Sequence, residues 1–519
     1  MDYIWIAVAF VCGFLARQIK LPPLVGYLAA GFGLHALGVE PGAFLEILTK
    51  LGVTLLLFTM GLKLHLKSLI KTEIWASATS HMGLIVVLTT VNSLVLSYFG
   101  LQYFSELNWL SAALIGFAVS FSSTVCVVKI LEDKGEIQAR HAQISIGILI
   151  VQDLAAVIFL SLATDKTPSW WALALLALPL ARPMLTRLLQ VCGHGELLPL
   201  AGIFLALTAG ELFELVGLKA HLGALVLGAL LSGHEKSAEL SKSLLGFKDL
   251  FLIGFFLSIG FTALPTIDML VAAMIMLVAL PFKSALFYLL FTRLKLRSRT
   301  AFLSSLSLAN YSEFGLIVCS ASIGAGLLSR EWLVIMALAM SLSFIFSSII
   351  NVKAHTLYSR WRLALQRMEH PERLVEDQFS QPSNATVLVI GMGRVGTGAY
   401  DALWQEQKEV CGLDVDAERV AVHCKEGRNA IVADAEDLEF WCHIDINSIQ
   451  LIMLALPNHD DMLVVVKQIK LAGYRGKMAG VVRYEDEKSG LQEAGIDVVF
   501  NYYANAGAGL AEHSIHLIE

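Results

Sequence analysis

The chain has 519 residues, 56% hydrophobic and 16% charged, with a formal net charge of −6. Counting Gly in place of Tyr brings the apolar share to about 61%, against roughly 45–50% for a soluble domain, which excludes a soluble monomer. Disorder, a collagen repeat and a disulfide scaffold are excluded too: the apolar content is high, Gly has no three-residue period, and seven cysteines are few and odd in number for this length. The acidic balance argues against a general nucleic-acid binder, and no nucleic-acid partner is expected.

Apolar runs of roughly 20 residues, enough to cross a bilayer, recur from residue 3 to about 352. Thirteen spans are predicted, at 3–19, 24–39, 47–62, 75–99, 108–131, 139–163, 169–191, 196–215, 219–233, 245–263, 266–291, 297–326 and 332–352, the second, third and ninth being short. The first follows Asp2 without a basic leader, so it reads as a span and not as a cleavable signal. Lys and Arg number twenty in the loops of one side, against Lys50, Lys166, Lys219 and Arg330 on the other. That asymmetry places the carboxyl-terminal region in the cytoplasm and the amino terminus outside, which requires an odd number of spans.

Ionisable groups deep in hydrocarbon cost several kcal/mol each and default to a functional reading. Three are predicted well inside spans: Asp153, Lys283 and Glu313. Asp153, in Val151-Gln152-Asp153-Leu154, is a mid-span carboxylate able to take a proton and a cation in turn. Lys283 is expected to pair with Asp153, either to pin two helices or to compete with the cation for the carboxylate. His35, His81 and His221 are isolated and read as packed or interfacial, and Cys126 reads as a small buried hydrophobe.

Two spans carry polar runs that an unbroken helix would not need. Ser120-Phe121-Ser122-Ser123-Thr124 interrupts the fifth, and Asn310-Tyr311-Ser312-Glu313-Phe314-Gly315 the twelfth. Broken helices present carbonyls and half-helix ends near the midplane, suited to a dehydrated alkali cation. The two lie seven spans apart, an odd offset, so equivalent helices of two six-span halves run antiparallel as inverted repeats. In that arrangement Glu313 offsets a positive half-helix end.

Residues 353–384 read as a basic juxtamembrane helix, anchored at anionic lipid, followed by a linker. From 385 the pattern becomes βαβ, with strands predicted at 386–390, 409–414, 429–432, 450–455, 478–482 and 497–500. Gly391-Met392-Gly393-Arg394-Val395-Gly396 follows the first strand and opens a helix, and Asp414 ends the second strand 18 residues after Gly396. Strand, glycines, helix and spaced acid together form a dinucleotide or nucleotide fingerprint. The glycines admit phosphate to the helix amides, Asp414 with Asp416 beside it faces the ribose, and Asp434 is placed to reach an adenine or ribose edge. No substrate domain follows the sixth strand, so the domain reads as a sensor.

The sequence resembles the Kef-type potassium/proton antiporters of the second cation:proton antiporter group. The resemblance covers nearly the whole chain and rests on Val25-Gly26-Tyr27-Leu28, Gly61-Leu62, Ser122-Ser123-Thr124, Gln152-Asp153, Lys283, Ser312-Glu313-Phe314 and the attached nucleotide-binding domain. It implies an ion site at Gln152 and Asp153, Lys283 as the basic partner, and broken helices that cross. It further implies a homodimer in a bacterial inner membrane, an ancillary cytoplasmic regulatory subunit as a further partner, and AMP or NAD(H) held by Gly391, Gly393, Arg394, Asp414 and Asp434. The loop at His234-Glu235-Lys236-Ser237 matches the place where such transporters meet their gating domain. Two positions depart from the family pattern: Asn310-Tyr311 in the twelfth-span motif, and Lys63 where an acid is usual. Glutathione gating in that family uses sequence beyond the six-stranded core, so the resemblance leaves that gating open.

The expected fold is therefore an all-α polytopic membrane domain over 1–352, a juxtamembrane helix and linker over 353–384, and an α/β Rossmann-type domain over 385–519. The expected function is potassium efflux coupled to proton uptake, with no enzymatic step. Potassium sits at Asp153, with Gln152, Ser122, Ser123, Thr124, Asn310 and Ser312 around it and Lys283 and Glu313 as supporting charges. Alternatives are a sodium/proton antiporter of the same fold, a nucleotide-gated potassium channel, for which Val25-Gly26-Tyr27-Leu28 is an imperfect filter, and a membrane oxidoreductase lacking visible catalytic residues.

Overall fold

The computed structural model describes residues 2–18, 23–62, 71–134, 136–137, 139–162, 169–193, 195–218, 220–232, 234–382, 385–456, 458–482, 485, 487–502, 511 and 514. Lys63 and the side chains of His221 and Glu235 lie outside that set. The chain divides into two units, one comprising Met1–Ile130 with Ile144–Glu372, the other Leu131–Gln143 with Arg373–Glu519.

The first unit is helical. It begins with α1 (Asp2–Gln18), α2 (Pro23–Ala36), α3 (Ala43–Leu62), α4 (Thr72–Tyr98) and the short α5 (Gln102–Ser105). The fifth predicted span is two half-helices, α6 (Trp109–Ser120) and α7 (Thr124–Asp133), followed by α8 (Arg140–Leu162). The seventh is a 3-10 segment, Trp170–Ala181, running into α9 (Arg182–Val191), with Pro179 near the join. Proline removes a ladder donor there, which is one reason that run is not a single α-helix.

Next come α10 (Leu197–Leu215), α11 (Ala220–Leu231), α12 (Glu235–Gly260) and α13 (Ile267–Arg293). Helix α12 starts ten residues earlier than the predicted tenth span, because hydropathy sees only its apolar part. Its first turns, Glu235-Lys236-Ser237-Ala238-Glu239, are polar but helix-compatible, and His234 caps them by accepting the Lys236 N–H at Nδ1, 3.2 Å away. The twelfth predicted span is again split, into α14 (Ser298–Ser307) and α15 (Glu313–Gly324); α16 (Glu331–Val352) and the juxtamembrane α17 (Ala354–Gln366) complete the unit.

Six described segments are long and apolar enough to cross a membrane: Thr72–Tyr98, Trp109–Leu131, Arg140–Leu160, Leu197–Leu215, Ile267–Arg293 and Glu331–Val352. The largest apolar core gathers around the split helices, with Phe121, Phe314, Trp332 and Leu280 almost wholly buried. Close approach there depends on Gly315, since a Cβ at that position would lie 2.5 Å from the Ala118 carbonyl oxygen.

The second unit holds a six-stranded sheet: β1 (Val387–Ile390), β2 (Val410–Asp414), β3 (Ala430–Val432), β4 (Leu451–Leu454), β5 (Lys477–Val482) and β6 (Val498–Asn501). All neighbours are parallel, in the order β3-β2-β1-β4-β5-β6. Helices α18 (Arg394–Gln405), α19 (Ala417–Lys425), α20 (Leu438–His443), α21 (His459–Leu471) and α22 (Glu487–Glu493) connect them. Central β1 and β2 are buried at every residue, as strands covered on both faces must be, which explains their unbroken apolar runs. The order reverses between β1 and β4, creating the crevice at the strand ends where ligands bind in this topology.

Candidate transport and nucleotide sites

In the helical unit, the breaks between α6 and α7 and between α14 and α15 meet. Four half-helix ends converge, each with backbone groups that no intrahelical partner satisfies. Side chains from the facing break close them. Ser123 N–H donates to Asn310 Oδ1 at 2.7 Å, and Ser122 Oγ to the Leu308 carbonyl at 2.8 Å. Asn310 Nδ2 returns to the Ser307 carbonyl at 2.8 Å. Gln152 splices the first break, accepting Ser122 N–H at 2.9 Å and donating to the Ser120 carbonyl at 3.1 Å.

The two supporting charges divide the half-helix ends by sign. Lys283 Nζ donates to the carbonyls of Phe121 (2.7 Å), Asn310 (2.8 Å) and Val119 (3.1 Å), the negative ends. It also stands 5.2 Å from the Tyr311 ring centroid, a favourable place for a cation. Pro281, two residues earlier, interrupts the α13 ladder just before this side chain leaves it. Glu313 lies in the first turn of α15, which Ser312 caps by accepting Phe314 N–H at 3.1 Å. One Glu313 oxygen accepts Ser123 Oγ–H at 3.0 Å, so this carboxylate sits at the positive ends.

The expected pairing of Lys283 with Asp153 is not formed. An ammonium has three N–H donors, and three converging carbonyls occupy them. Asp153 projects from α8 beside the break and is 4% exposed. Its Oδ2 accepts a long bond from Thr124 Oγ1 at 3.3 Å, and its Oδ1 has no hydrogen-bond partner among the described residues. All the residues expected at the ion site are thus brought together. Gln152, Ser122, Asn310 and Ser312, however, spend polar atoms on the breaks, whereas Asp153 Oδ1, like Glu313 Oε1, is buried with no hydrogen-bond partner among the described residues.

The expected gating loop lies at the start of α12. Lys236 Nζ reaches the Gly193 carbonyl at 3.1 Å and Glu239 at 2.9 Å, and His234 Nε2 is 3.4 Å from Gln190 Nε2.

In the sheet unit the glycine loop follows β1. Gly391 has φ +88°, a conformation that favours glycine, and a Cβ there would lie 2.7 Å from the Ala455 carbonyl oxygen. A Cβ on Gly396 would collide with the Gly391 carbonyl oxygen. Gly393 caps α18, whose first turn begins at Arg394, with its side chain exposed. Gly391, Gly393, Arg394, Asp414, Asp416 and Asp434 all line one cavity of about 660 Å³.

Asp414, expected to face a ribose, has a structural role in the loop. It accepts Met392 N–H (2.8 Å), Asp416 N–H (2.9 Å) and Arg419 Nη1–H (2.9 Å), so it pins the glycine loop to the end of β2. Asp416 caps α19 through Glu418 N–H at 3.0 Å and Arg419 N–H at 3.2 Å, and Asp434 accepts Glu436 N–H at 2.9 Å. Sequence reasoning missed Arg419, whose side chain also lines the cavity. It likewise missed His423, which holds the Met392 carbonyl at 3.0 Å and receives Arg428 Nη1 at 3.2 Å. The signal for Arg419 was its place one helical turn beyond Asp416. Arg428 grips Asp401 through two bonds of 2.7 and 3.0 Å and holds that carboxyl below its usual range. Burial pushes the Cys411 thiol up to about 12, which leaves it unreactive as a redox sensor.

Split helices meeting around buried charges, joined in one chain to a Rossmann-type domain, define a regulated membrane transporter. The sequence profile for the transmembrane sodium/hydrogen exchanger family matches residues 6–352, and the chain belongs to that family; a TrkA-N domain profile matches residues 387–502. It is a cation/proton antiporter with a TrkA-N regulatory domain, and the Kef-type architecture fits. Among solved structures it is similar to the sodium proton antiporter MjNhaP1 from Methanocaldococcus jannaschii, at 12% identity over 70% of this chain and 96% of that one, TM-score 0.46. It is also similar to the TrkA-N domain of the inner membrane protein ybaL from Escherichia coli, at 20% identity over 26% of this chain and 97% of that one, TM-score 0.22. A third likeness is the NAD(P)-binding domain of an exopolyphosphatase-related protein from Archaeoglobus fulgidus, at 20% identity over 25% of this chain and 96% of that one, TM-score 0.24.

Proposed function

We propose that this antiporter exports potassium in exchange for protons, with Asp153 as the group that binds either passenger in turn. The observation that carries the reading is the buried Asp153 Oδ1, with no hydrogen-bond partner among the described residues, beside two broken helices whose exposed backbone groups are bridged by Ser122, Gln152, Asn310 and Lys283; the other buried carboxylate oxygen without a partner there, Glu313 Oε1, belongs to a group whose second oxygen is held by Ser123. A buried carboxylate oxygen without a partner costs free energy, and a proton or a dehydrated cation supplies what is missing. Thr124 Oγ, one bond from the same carboxylate, is the first additional ligand, while Ser122, Ser123, Gln152, Asn310 and Ser312 shape the site by holding the breaks. The protein works as a homodimer in a bacterial inner membrane, amino terminus outside, by alternating access to Asp153.

The cavity beside the glycine loop takes AMP or NAD(H), phosphate towards the α18 amides and ribose towards Asp414 and Arg419, and its occupancy sets the transport rate. The test is dissipation of a pH gradient by the purified protein in proteoliposomes, with potassium, sodium or neither, and with or without AMP or NADH. Potassium-dependent proton movement altered by nucleotide is the expected result. Equal rates with sodium would replace the potassium assignment by sodium/proton exchange, and cation flux without proton movement would remove antiport.

A further inference from the structure

Helix α14, the first half of the second broken span, has a capping problem that its own sequence does not solve. Its N-cap is Arg297, whose side chain cannot accept a hydrogen bond and makes none to the helix amides. The missing acceptor comes from the segment beyond α17. Glu369 Oε2 accepts the Ser298 N–H at 3.0 Å. Around it, Tyr288 OH donates to the Leu365 carbonyl at 2.8 Å and is bonded to Ser298 Oγ at 3.0 Å. Lys295 pairs with Glu372 at 2.5 Å, and Arg299 reaches His355 Nδ1 at 3.2 Å.

At its other end α14 enters the crossing, where the Ser307 and Leu308 carbonyls receive Asn310 Nδ2 and Ser122 Oγ. Ten residues at 1.5 Å rise make a rod of about 15 Å. One end is thus held by the chain that leads on into the nucleotide-binding unit, and the other is part of the broken-helix crossing.

We propose that Glu369 is a positioning residue for transport: it caps α14 from the juxtamembrane segment, and through this cap the regulatory domain acts on the transport site. The second half of the statement rests on the nucleotide-gating reading above; the first does not. This coupling element differs from the His234–Ser237 loop singled out in the sequence. A tether at the base of α14 acts on one strut of the crossing directly.

The experiment compares the full-length protein with Glu369→Ala, Glu369→Gln and Tyr288→Phe in proteoliposomes, reading kcat and KM for potassium-driven proton movement with and without AMP. Amide hydrogen exchange over Ser298–Phe302 and calorimetric AMP affinity accompany it. Glu369→Ala should lower kcat about fivefold with KM unchanged and raise exchange in the first turn of α14 about fivefold, the size of a lost cap. Its AMP response should fall to a ratio of one while AMP affinity stays at the wild-type value. Glu369→Gln keeps an acceptor oxygen and should restore most of kcat and the response, and Tyr288→Phe should weaken the response in part. Wild-type kcat together with wild-type AMP response in Glu369→Ala would overturn the proposal, as would a change confined to KM. If AMP leaves the wild-type rate unaltered, nucleotide gating by AMP fails, and the cap stands or falls on kcat, exchange and the glutamine rescue alone.

Discussion

Asp153→Asn replaces one carboxylate oxygen by NH2 at nearly constant shape, so it separates chemistry from packing. At most it loses the 3.3 Å bond from Thr124 Oγ1, worth about 1 kcal/mol or less at that length. Against this stands removal of a 4% exposed carboxylate with one oxygen unpartnered, whose desolvation costs several kcal/mol when ionised. The variant should therefore fold, with a thermal midpoint at or above wild type at neutral pH. A permanently neutral amide can neither release a proton nor attract a cation. Exchange should fall on the order of 10²–10⁴-fold, the range associated with removing a proton-transfer group. The assay is quenching and recovery of an internal pH dye in proteoliposomes under a potassium gradient, beside differential scanning fluorimetry of the same sample. Retained potassium-dependent exchange would remove Asp153 from the mechanism. A drop in midpoint of several degrees would refute the claim that its oxygen is under-coordinated.

Lys283→Met strips the donor from three buried carbonyls and should destabilise the protein by roughly 3–5 kcal/mol. In a double-mutant cycle with Asp153→Asn the coupling should stay within about 0.5 kcal/mol, the additivity of sites that share no partner; strong coupling in thermal or denaturant unfolding would restore the ion pair. Gly391→Ala forces a side chain onto φ +88° and against the Ala455 carbonyl, at a cost of roughly 1–2 kcal/mol from the left-handed backbone alone; calorimetry should show weaker nucleotide binding, and unchanged affinity would place the phosphate elsewhere. Asp414→Ala should both weaken nucleotide binding and speed amide exchange at Met392, because the same carboxylate pins the loop; lost binding with unchanged exchange would limit it to ligand contact. Arg428 holds the Asp401 carboxyl below its ordinary value of 3.8. Stability from this pair is present above that ordinary value and is lost as pH falls through the lower folded one, so amide exchange in β3 should accelerate in strong acid, and Asp401→Asn should flatten the dependence.

The sheet was almost wholly legible in the sequence, because each strand is a short apolar run between turn residues and the glycine loop has a fixed place after β1. Predicted and observed strand limits differ by one residue at most ends. The breaks in the fifth and twelfth spans were legible for a related reason: Ser122, Ser123, Asn310 and Ser312 are costly in lipid unless the backbone needs them. The destination of Lys283 was not. Charge sign and depth suggest Asp153 as its partner, and nothing in a linear sequence announces that two helices end with their carbonyls aimed at one point. Glu369 was hidden too, since its partner is a backbone amide 71 positions away and has no sequence signature.

The placement of Lys283 has a further consequence for how the site handles charge. Two buried carboxylates and one buried ammonium surround the crossing, but they do not act as interchangeable partners. Three N–H···O bonds require the ammonium form, and the same bonds hold it at the negative half-helix ends. Glu313 accepts Ser123 Oγ–H at the positive ends through Oε2, while its Oε1 has no hydrogen-bond partner among the described residues. Each of these charges has a backbone dipole to offset and so belongs to the scaffold. Asp153 has no ammonium; its Oδ2 accepts only the long bond from Thr124 at the start of α7, and its Oδ1 has no hydrogen-bond partner among the described residues. On the proposed reading of Asp153 as the ion site, a lysine that must first be displaced would make cation binding wait on breaking an ion pair; a lysine already satisfied would make occupancy of Asp153 a direct contest between proton and cation, decided by their relative activities on the side to which the site is open.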